Sequence, residues 1–163
     1  MTDIAAGYLR GVEPTVEQIT DAVLTASRLL VSISARSIAE VDEQVTLPQF
    51  RALVVLENRE SSTLNDLAQA LDVQKSTMGR MVDRLVSREL VTRTESPTSR
   101  RERCIALTAR GRTLVKSVTR RRRAEVERVV SQMQPEQRIG LVGALAAFSA
   151  AGGEPAIDQF YWA

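Results

Sequence analysis

A helix-forming segment in the middle of the chain carries amide, hydroxyl and guanidinium side chains on one side. Apolar residues recur at three- and four-residue intervals between Met78 and Leu85, and this spacing predicts a helix with one buried face. The polar groups on its other faces and at its start belong to Gln74, Lys75, Ser76, Thr77, Arg80 and Arg84. Such groups hydrogen-bond to base edges and to phosphates, so the segment is predicted to bind in the major groove of DNA.

Different members of this set are expected to contact different parts of the DNA. The predicted phosphate contacts are Lys75 and Arg84, and the predicted base contacts are Gln74, Ser76, Thr77 and Arg80. Gly79 lies on a flank of the same helix, where a glycine costs about 1 kcal/mol relative to alanine. Two interpretations of Gly79 remain open: its bare backbone lets the groove wall come close, or the helix tolerates a weak position.

The charge of the chain is concentrated in one segment. The net charge is only +2, from 22 Lys and Arg against 20 Asp and Glu. Residues 74–123 contain 15 of the basic and 4 of the acidic residues, a net charge of +11, while the rest of the chain has a net charge of −9. A basic segment within an acidic protein indicates a polyanion-binding surface; the alternative is a scatter of solvated charges.

Hydrophobic periodicity and capping signals predict the elements that position this helix. A threonine with a partner residue three positions later predicts helix starts at Thr15 and Thr63, and Thr46 precedes a helix with proline in its first turn. The predicted helices cover roughly residues 15–43, 46–58 and 63–71, and later helices start near 74, 108 and 139. Residues 60–62 are predicted to form a loop, and Gln134-Pro135 to interrupt the fifth helix.

Two features complete the pattern around the central helix. Asp72-Val73 forms a tight connection before it, and aspartate tolerates the left-handed conformation that glycine often adopts in such a turn. After it, residues 91–95 and 104–107 alternate around a tip rich in proline and serine, which predicts a β-hairpin. The order helix, short helix, tight turn, helix, hairpin predicts a winged helix-turn-helix that is mainly α with a small β-hairpin wing.

The segment from Leu64 to Gly111 resembles the DNA-binding lobe of the MarR family of transcriptional regulators. Leu64–Leu71 is similar to the helix that braces the recognition helix, and Ser76–Leu85 is similar to the recognition helix itself. The residues similar to the family's wing and to the start of its next helix are Arg100, Arg101, Leu107, Thr108 and Gly111.

The resemblance extends over about residues 15–150 and implies a homodimer. The first, fifth and sixth helices of two chains would interlock, and two recognition helices would bind a pseudo-palindromic operator on double-stranded DNA. The implied arrangement is one domain with a DNA-binding lobe at 46–111, dimerisation helices at 13–45 and 112–150, and a C-terminal tail at 151–163. Family members commonly repress transcription and release DNA when a small anionic or phenolic effector binds between the lobes.

The wing departs from the family pattern. Arg100 and Arg101 are implied contacts to the minor groove or to phosphates. The family's wing tip carries aspartates that hold such arginines in place, whereas Ser96 and Ser99 stand where acids are expected. The tip is therefore expected to be more basic and less rigid than is usual.

The composition argues against an enzyme and against a metal protein. The chain has no histidine and one cysteine, so it lacks the commonest general base and cannot form an intrachain disulfide or a thiolate zinc cluster. We expect no catalytic site, no cofactor and no metal. We also expect no signal peptide, no apolar run of membrane-spanning length and no membrane partner, which predicts a cytoplasmic location.

Three classes of function compete for this sequence. The first is a sequence-specific DNA-binding regulator, indicated by the ordered helix-turn-helix and basic wing. The second is a winged-helix architectural or protein-interaction module that binds DNA with little sequence preference. The third is a small helical enzyme, which the missing nucleophile and base disfavour.

Three further features have both a functional and a structural interpretation. Arg122 lies on the apolar stripe of the fifth helix within the run Arg120–Arg123, so it is a candidate anchor for an anionic ligand, although such a run is typical of a solvated helix. Cys104 is either an oxidant sensor or an inert small residue. Phe160-Tyr161-Trp162 holds half of the six aromatic residues, and the tail either packs across a dimer or pocket, or frays.

Overall fold

Helices and a small sheet alternate as the sequence predicts, in a computed structural model that describes residues 13–95 and 103–153. The elements are α1 Val16–Ala39, α2 Leu47–Arg59, β1 Ser61–Thr63, α3 Leu64–Ala70, α4 Lys75–Ser87, β2 Val91–Glu95, β3 Arg103–Leu107, α5 Ala109–Ser131, α6 Pro135–Arg138 and α7 Leu141–Ala151. The chain divides into two compact units, one ending at Arg123 and one beginning at Ala124. The mainly helical fold with a small β wing is confirmed.

Three helix starts are fixed by reciprocal capping, which the sequence predicts at Thr15 and Thr63 and which the structure adds at Thr46. The threonine hydroxyls of Thr15, Thr46 and Thr63 each accept a hydrogen bond from a backbone N–H three residues later. In return, the side chain of that third residue accepts from the backbone N–H of the threonine. Each box satisfies two N–H groups that a helix start otherwise leaves without partners.

The sheet has one strand more than the sequence predicts. Residues 61–63, expected to be a loop, form β1, and the strand order is β1-β3-β2 with antiparallel pairing throughout. Ser62 and Arg93 lie on either side of Ile105 in register. β1 therefore ties the end of α2 and the start of α3 to the wing.

One other predicted boundary was wrong. α1 ends at Ala39, four residues before the expected end near Glu43. The predicted interruption of the fifth helix before Gln134-Pro135 is correct, and Pro135 in addition occupies the first position of the short helix α6, where its missing N–H costs nothing.

The core of the first unit is formed by aliphatic side chains from every element around the sheet. Fully buried members include Leu53 of α2, Leu67 of α3, Leu85 of α4, Ile105 of β3 and Val118 of α5. Each such side chain stabilises the fold by about 1.5–3 kcal/mol relative to an exposed one. Because the core joins α4 to the wing, the two elements that the sequence assigns to DNA binding share one packed unit.

α1 has two different environments along its length. Its last turns are buried, with Ile33 and Ile38 at 1% and 2% exposure. Its earlier turns expose large apolar side chains, among them Val16, Ile19, Leu24, Leu29, Leu30 and Val31. Contrary to the expectation from sequence, α1 is long and apolar enough by composition to cross a membrane, but the buried core helices of soluble proteins meet the same criterion.

The second unit contains the apolar helix α7, and none of the described residues of this unit is buried in a core. α7 follows Gly140, whose φ of 78° lies in the left-handed region. Ile139, Val142, Leu145 and Phe148 are all more than half exposed. These side chains are thus available for burial against another surface.

The tight turn before α4 has the geometry predicted for Asp72. Its φ is 52°. The N–H of Asp72 donates to the carbonyl of Gln69 at 3.2 Å, and the N–H of Val73 donates to the carbonyl of Ala68 at 3.0 Å. This pair of bonds is a Schellman motif, which closes α3 and reverses the chain into α4.

Asp72→Gly is therefore expected to raise the free energy of unfolding by about 0.5–1 kcal/mol, because glycine adopts a positive φ without steric cost. Urea unfolding monitored by circular dichroism measures the change. Asp72→Ala is the matched control and is expected to destabilise the fold, since a Cβ without a polar group gains nothing in this conformation. A glycine variant no more stable than the alanine variant would contradict the explanation.

Candidate nucleic-acid interface

Helix α4, the predicted recognition helix, presents the predicted polar residues on its exposed side. Met78, Val82 and Leu85 are completely buried, and Met81 is half-buried. The side chains of Gln74, Lys75, Ser76, Thr77, Arg80 and Arg84 are exposed. The buried face predicted for this helix from the spacing of its apolar residues is thus correct. The DNA contacts assigned to its polar residues stay predictions.

The start of α4 is free to contact a ligand. Gln74 occupies the N-cap position with extended backbone angles and makes no side-chain capping bond. Its amide therefore stays available, unlike the threonine hydroxyls that cap α1, α2 and α3. The first N–H groups of a helix of this length carry a partial positive charge that favours an anion.

Gly79 has room around it within the protein. A Cβ placed on Gly79 would meet only Leu64 Cδ2, at 3.9 Å, which is an ordinary van der Waals distance. The fold therefore does not require glycine at this position. Of the two interpretations, close approach of a groove wall and a tolerated weak point, neither is excluded by the packing.

The far end of α4 is held by an ion pair that sequence reasoning missed. Arg88 Nη2 donates to Asp42 Oδ1 at 2.6 Å, and the two side chains are 20% and 16% exposed. This hydrogen bond, more than any other interaction, lowers the pKa of the Asp42 carboxyl. The sequence does not reveal this pair, because no local spacing links two residues that are 46 positions apart.

The end of α4 is also closed by a second Schellman motif. Glu89 has a φ of 58°, and the N–H of Leu90 donates to the carbonyl of Leu85 at 3.0 Å. Thr108 joins this turn to α5, because its Oγ1 donates to the carbonyl of Glu89 at 2.6 Å and accepts from the N–H of Gly111 at 3.0 Å. Both ends of α4 are therefore fixed by backbone geometry.

The wing is described as far as Glu95 on one strand and from Arg103 on the other. Arg93 Nη2 lies 2.7 Å from Asp83 Oδ1 of α4, which links the wing to the recognition helix. Arg100 and Arg101, with the tip serines, lie outside the described residues. Their predicted contacts with DNA remain predictions.

The other residues singled out from the sequence lie on elements other than α4 or outside the described residues. Arg122 is exposed on α5, and its neighbour Arg121 pairs with Glu40 at 2.7 Å across two exposed side chains. Cys104 is half-buried in β3, in register with Thr63 and Thr94. The Phe160-Tyr161-Trp162 tail lies outside the described residues. Within residues 13–95 and 103–153, no group of three or more metal-ligating side chains is found.

Comparison with known proteins identifies relatives of the whole arrangement. The model of the MarR family matches residues 45–102. The crystal structure of RV1404 from Mycobacterium tuberculosis is 58% identical, with a TM-score of 0.82, over 90% of this chain and 100% of that one. No curated protein sequence matches the chain.

Two more distant structures share the fold. BpsR of Bordetella bronchiseptica, whose DNA binding is regulated by 6-hydroxynicotinic acid, is 25% identical, with a TM-score of 0.62, over 85% of this chain and 98% of that one. A point mutant of MepR from Staphylococcus aureus, bound to an oligodeoxyribonucleotide, is 22% identical, with a TM-score of 0.62, over 85% of this chain and 99% of that one. At this identity the MepR likeness concerns the fold alone.

Proposed function

The chain belongs to the MarR family of transcriptional regulators, and on that premise we propose that it is a homodimeric repressor of a pseudo-palindromic operator. The observation that carries the proposal is α4, whose polar residues are exposed from Gln74 to Arg84 while both of its ends are fixed. A helix of this kind fits the major groove, and two-fold symmetry of a dimer matches a palindromic site.

The apolar faces left exposed support the homodimer. Val16 and Ile19 of α1 are 83% and 48% exposed, and Val142 of α7 is 82% exposed. Exposed apolar side chains gathered on one helix indicate a surface that another protein chain covers. We propose that the helices in 13–45 and 112–150 bury these faces against a second copy of the chain.

We further propose that a small anionic or phenolic effector releases the repressor from DNA in the cytoplasm. BpsR, whose DNA binding responds to 6-hydroxynicotinic acid, supports an effector of this chemistry. Arg122 is the proposed anchor for its anionic group. If Arg122→Met left the release of DNA by the effector unchanged, the role proposed for Arg122 would be wrong. The proposed function as a regulator would still stand.

The proposed function is tested by titrating the purified protein with the DNA that flanks its own gene and with a scrambled control. Preference for the native DNA with a steep salt dependence is the expected result. Equal binding to both DNAs would favour the architectural module instead. Absence of binding to either DNA at low salt would contradict DNA binding altogether.

Arg80→Ala is expected to weaken binding to the operator by about 1–3 kcal/mol and to relax the base preference at one position, because a guanidinium can donate two bonds to one guanine. Selection of binding sites from a randomised operator measures the preference. Arg100→Ala is the contrasting variant and is expected to weaken all sequences more evenly. Uniform weakening by Arg80→Ala would show that Arg80 contacts phosphate.

A further inference from the structure

A cleft of about 330 Å³ opens between the first turns of α4 and the wing. Its walls come from three separate elements of the first unit, α3, α4 and the sheet. The polar side chains that line it are those of Asn65, Lys75, Arg93 and Arg103, and the apolar residues Leu64 and Ile105 also contribute to its walls. No carboxylate belongs to the described side chains that line it.

The register of the sheet explains why two arginines enter this cleft. Side chains alternate between the faces of a strand, and paired residues share a face. Ile105, paired with Arg93, and Leu107, paired with Val91, therefore lie on one face of the sheet. At Ile105 and Leu107 this face is buried in the core. Arg103 lies on the same face two residues before Ile105, and its side chain is exposed. The core face thus carries charged residues where it leaves the core, with Arg103 and Glu95 paired in register.

Three of the described side chains that line the cleft are cations, Lys75, Arg93 and Arg103. Arg93 is 30% exposed and pairs with Asp83, whose own side chain is 62% exposed. This pair engages one nitrogen of the guanidinium, a planar group that carries five N–H donors. Lys75, in the first turn of α4, adds a third cation from the opposite wall.

We propose that this cleft binds a phosphate group of the DNA backbone, held by Arg93, Arg103 and Lys75 with the amide of Asn65 as an additional donor. The inference rests on the proposed DNA-binding function and assigns contacts to Arg93, Arg103 and Asn65 beyond the recognition helix. Because Lys75 lines the cleft, the cleft lies beside the N-terminal end of α4, where Gln74 and Ser76 are found. A DNA backbone bound in the cleft would fix the position of α4 along the DNA, and therefore which bases Gln74 and Ser76 contact.

The test is the salt dependence of DNA binding by Arg103→Gln, compared with the wild type on operator and scrambled DNA. One lost phosphate contact lowers the slope of log K against log salt by about 0.9, which corresponds to about eightfold weaker binding at 0.1 M salt. The loss should be equal for both DNAs, with no change in thermal unfolding. Arg103→Lys, which keeps the charge, should restore most of the slope.

Lys116→Gln is the matched control, because it removes one exposed cation from α5 of the same unit outside the cleft. It should leave the slope unchanged. An unchanged slope in Arg103→Gln, with wild-type binding intact, would overturn the cleft assignment and leave the proposed function standing. Failure of the wild type to bind either DNA would overturn both.

Two other outcomes also contradict the assignment. A loss confined to operator DNA would mean that Arg103 reads bases. Binding of inorganic phosphate at constant ionic strength by the wild type and not by Arg103→Gln, without any change in the DNA slope, would make the cleft a site for a free anion.

Discussion

Replacing Gly111 with alanine is expected to lower the free energy of unfolding by about 3 kcal/mol or more. A Cβ at this position would lie 2.1 Å from the carbonyl oxygen of Leu90 and 3.2 Å from Leu107 Cδ2. The first of these atoms is backbone, in the turn that closes α4, so it cannot move aside as a flexible side chain can. The start of α5 would have to separate from that turn.

Gly79→Ala is the control for this variant, because it makes the same chemical change in a helix where the nearest atom is 3.9 Å away. It is expected to leave stability unchanged or to raise it by up to about 1 kcal/mol. Urea unfolding of the two variants gives the comparison. Equal stabilities would show that α5 shifts without cost and that the contact with Leu90 is unimportant.

Asp42→Asn is expected to lower the free energy of unfolding by about 2 kcal/mol at pH 6, because it removes the charge that partners Arg88. Among the described residues, Nη1 of Arg88 is buried without a hydrogen-bond partner. Loss of the carboxylate would thus leave the guanidinium poorly compensated at the end of α4.

The effect of this substitution should depend on pH in a defined direction. The pKa of Asp42 is below its ordinary value of 3.8, mainly because of the hydrogen bond from Arg88. The folded state then binds the proton less readily than the unfolded state, so the stabilisation is complete above about pH 4 and is lost as pH falls through the folded pKa. The difference between the wild type and Asp42→Asn should therefore shrink as pH falls below 3.8 and through the lowered pKa of folded Asp42.

Urea titrations across this pH range measure that difference. Burial raises the pKa of Glu57, whose titration acts in the opposite direction but is common to both proteins and cancels between them. Glu40→Gln is the control, since it breaks an ion pair whose side chains are 51% and 57% exposed. Such a pair contributes little, so a loss as large as that of Asp42→Asn would contradict the role given to burial.

Local chemistry made much of the fold predictable. The hydroxyl of Thr63 and the carboxylate of Asp66 are three residues apart, so their capping box could be recognised before any tertiary contact was known. The positive φ of Asp72 followed from the same kind of argument. The buried face of α4 followed from the three- and four-residue spacing of its apolar residues.

Features that depend on distant residues were not predictable in this way. β1 has three residues, too few for a visible alternation, and it exists because it pairs with β3 more than 40 positions later. The partnership of Asp42 with Arg88 and the convergence of Arg93 and Arg103 on Lys75 likewise depend on tertiary packing. Sequence reasoning counted these arginines in the basic segment without assigning them to the site.

α1 is one continuous helix whose two ends are stabilised by different equilibria. A free helical segment of about fifteen residues is only marginally formed in water, so the turns from Val16 to Val31 depend on what covers them, whereas Ile33 and Ile38 are secured by the core. In the proposed homodimer, dilution would melt this helix from its N-terminal end while the DNA-binding lobe stayed folded, because mass action governs only the covered part. The concentration of the protein would then set how much of its own helix is formed.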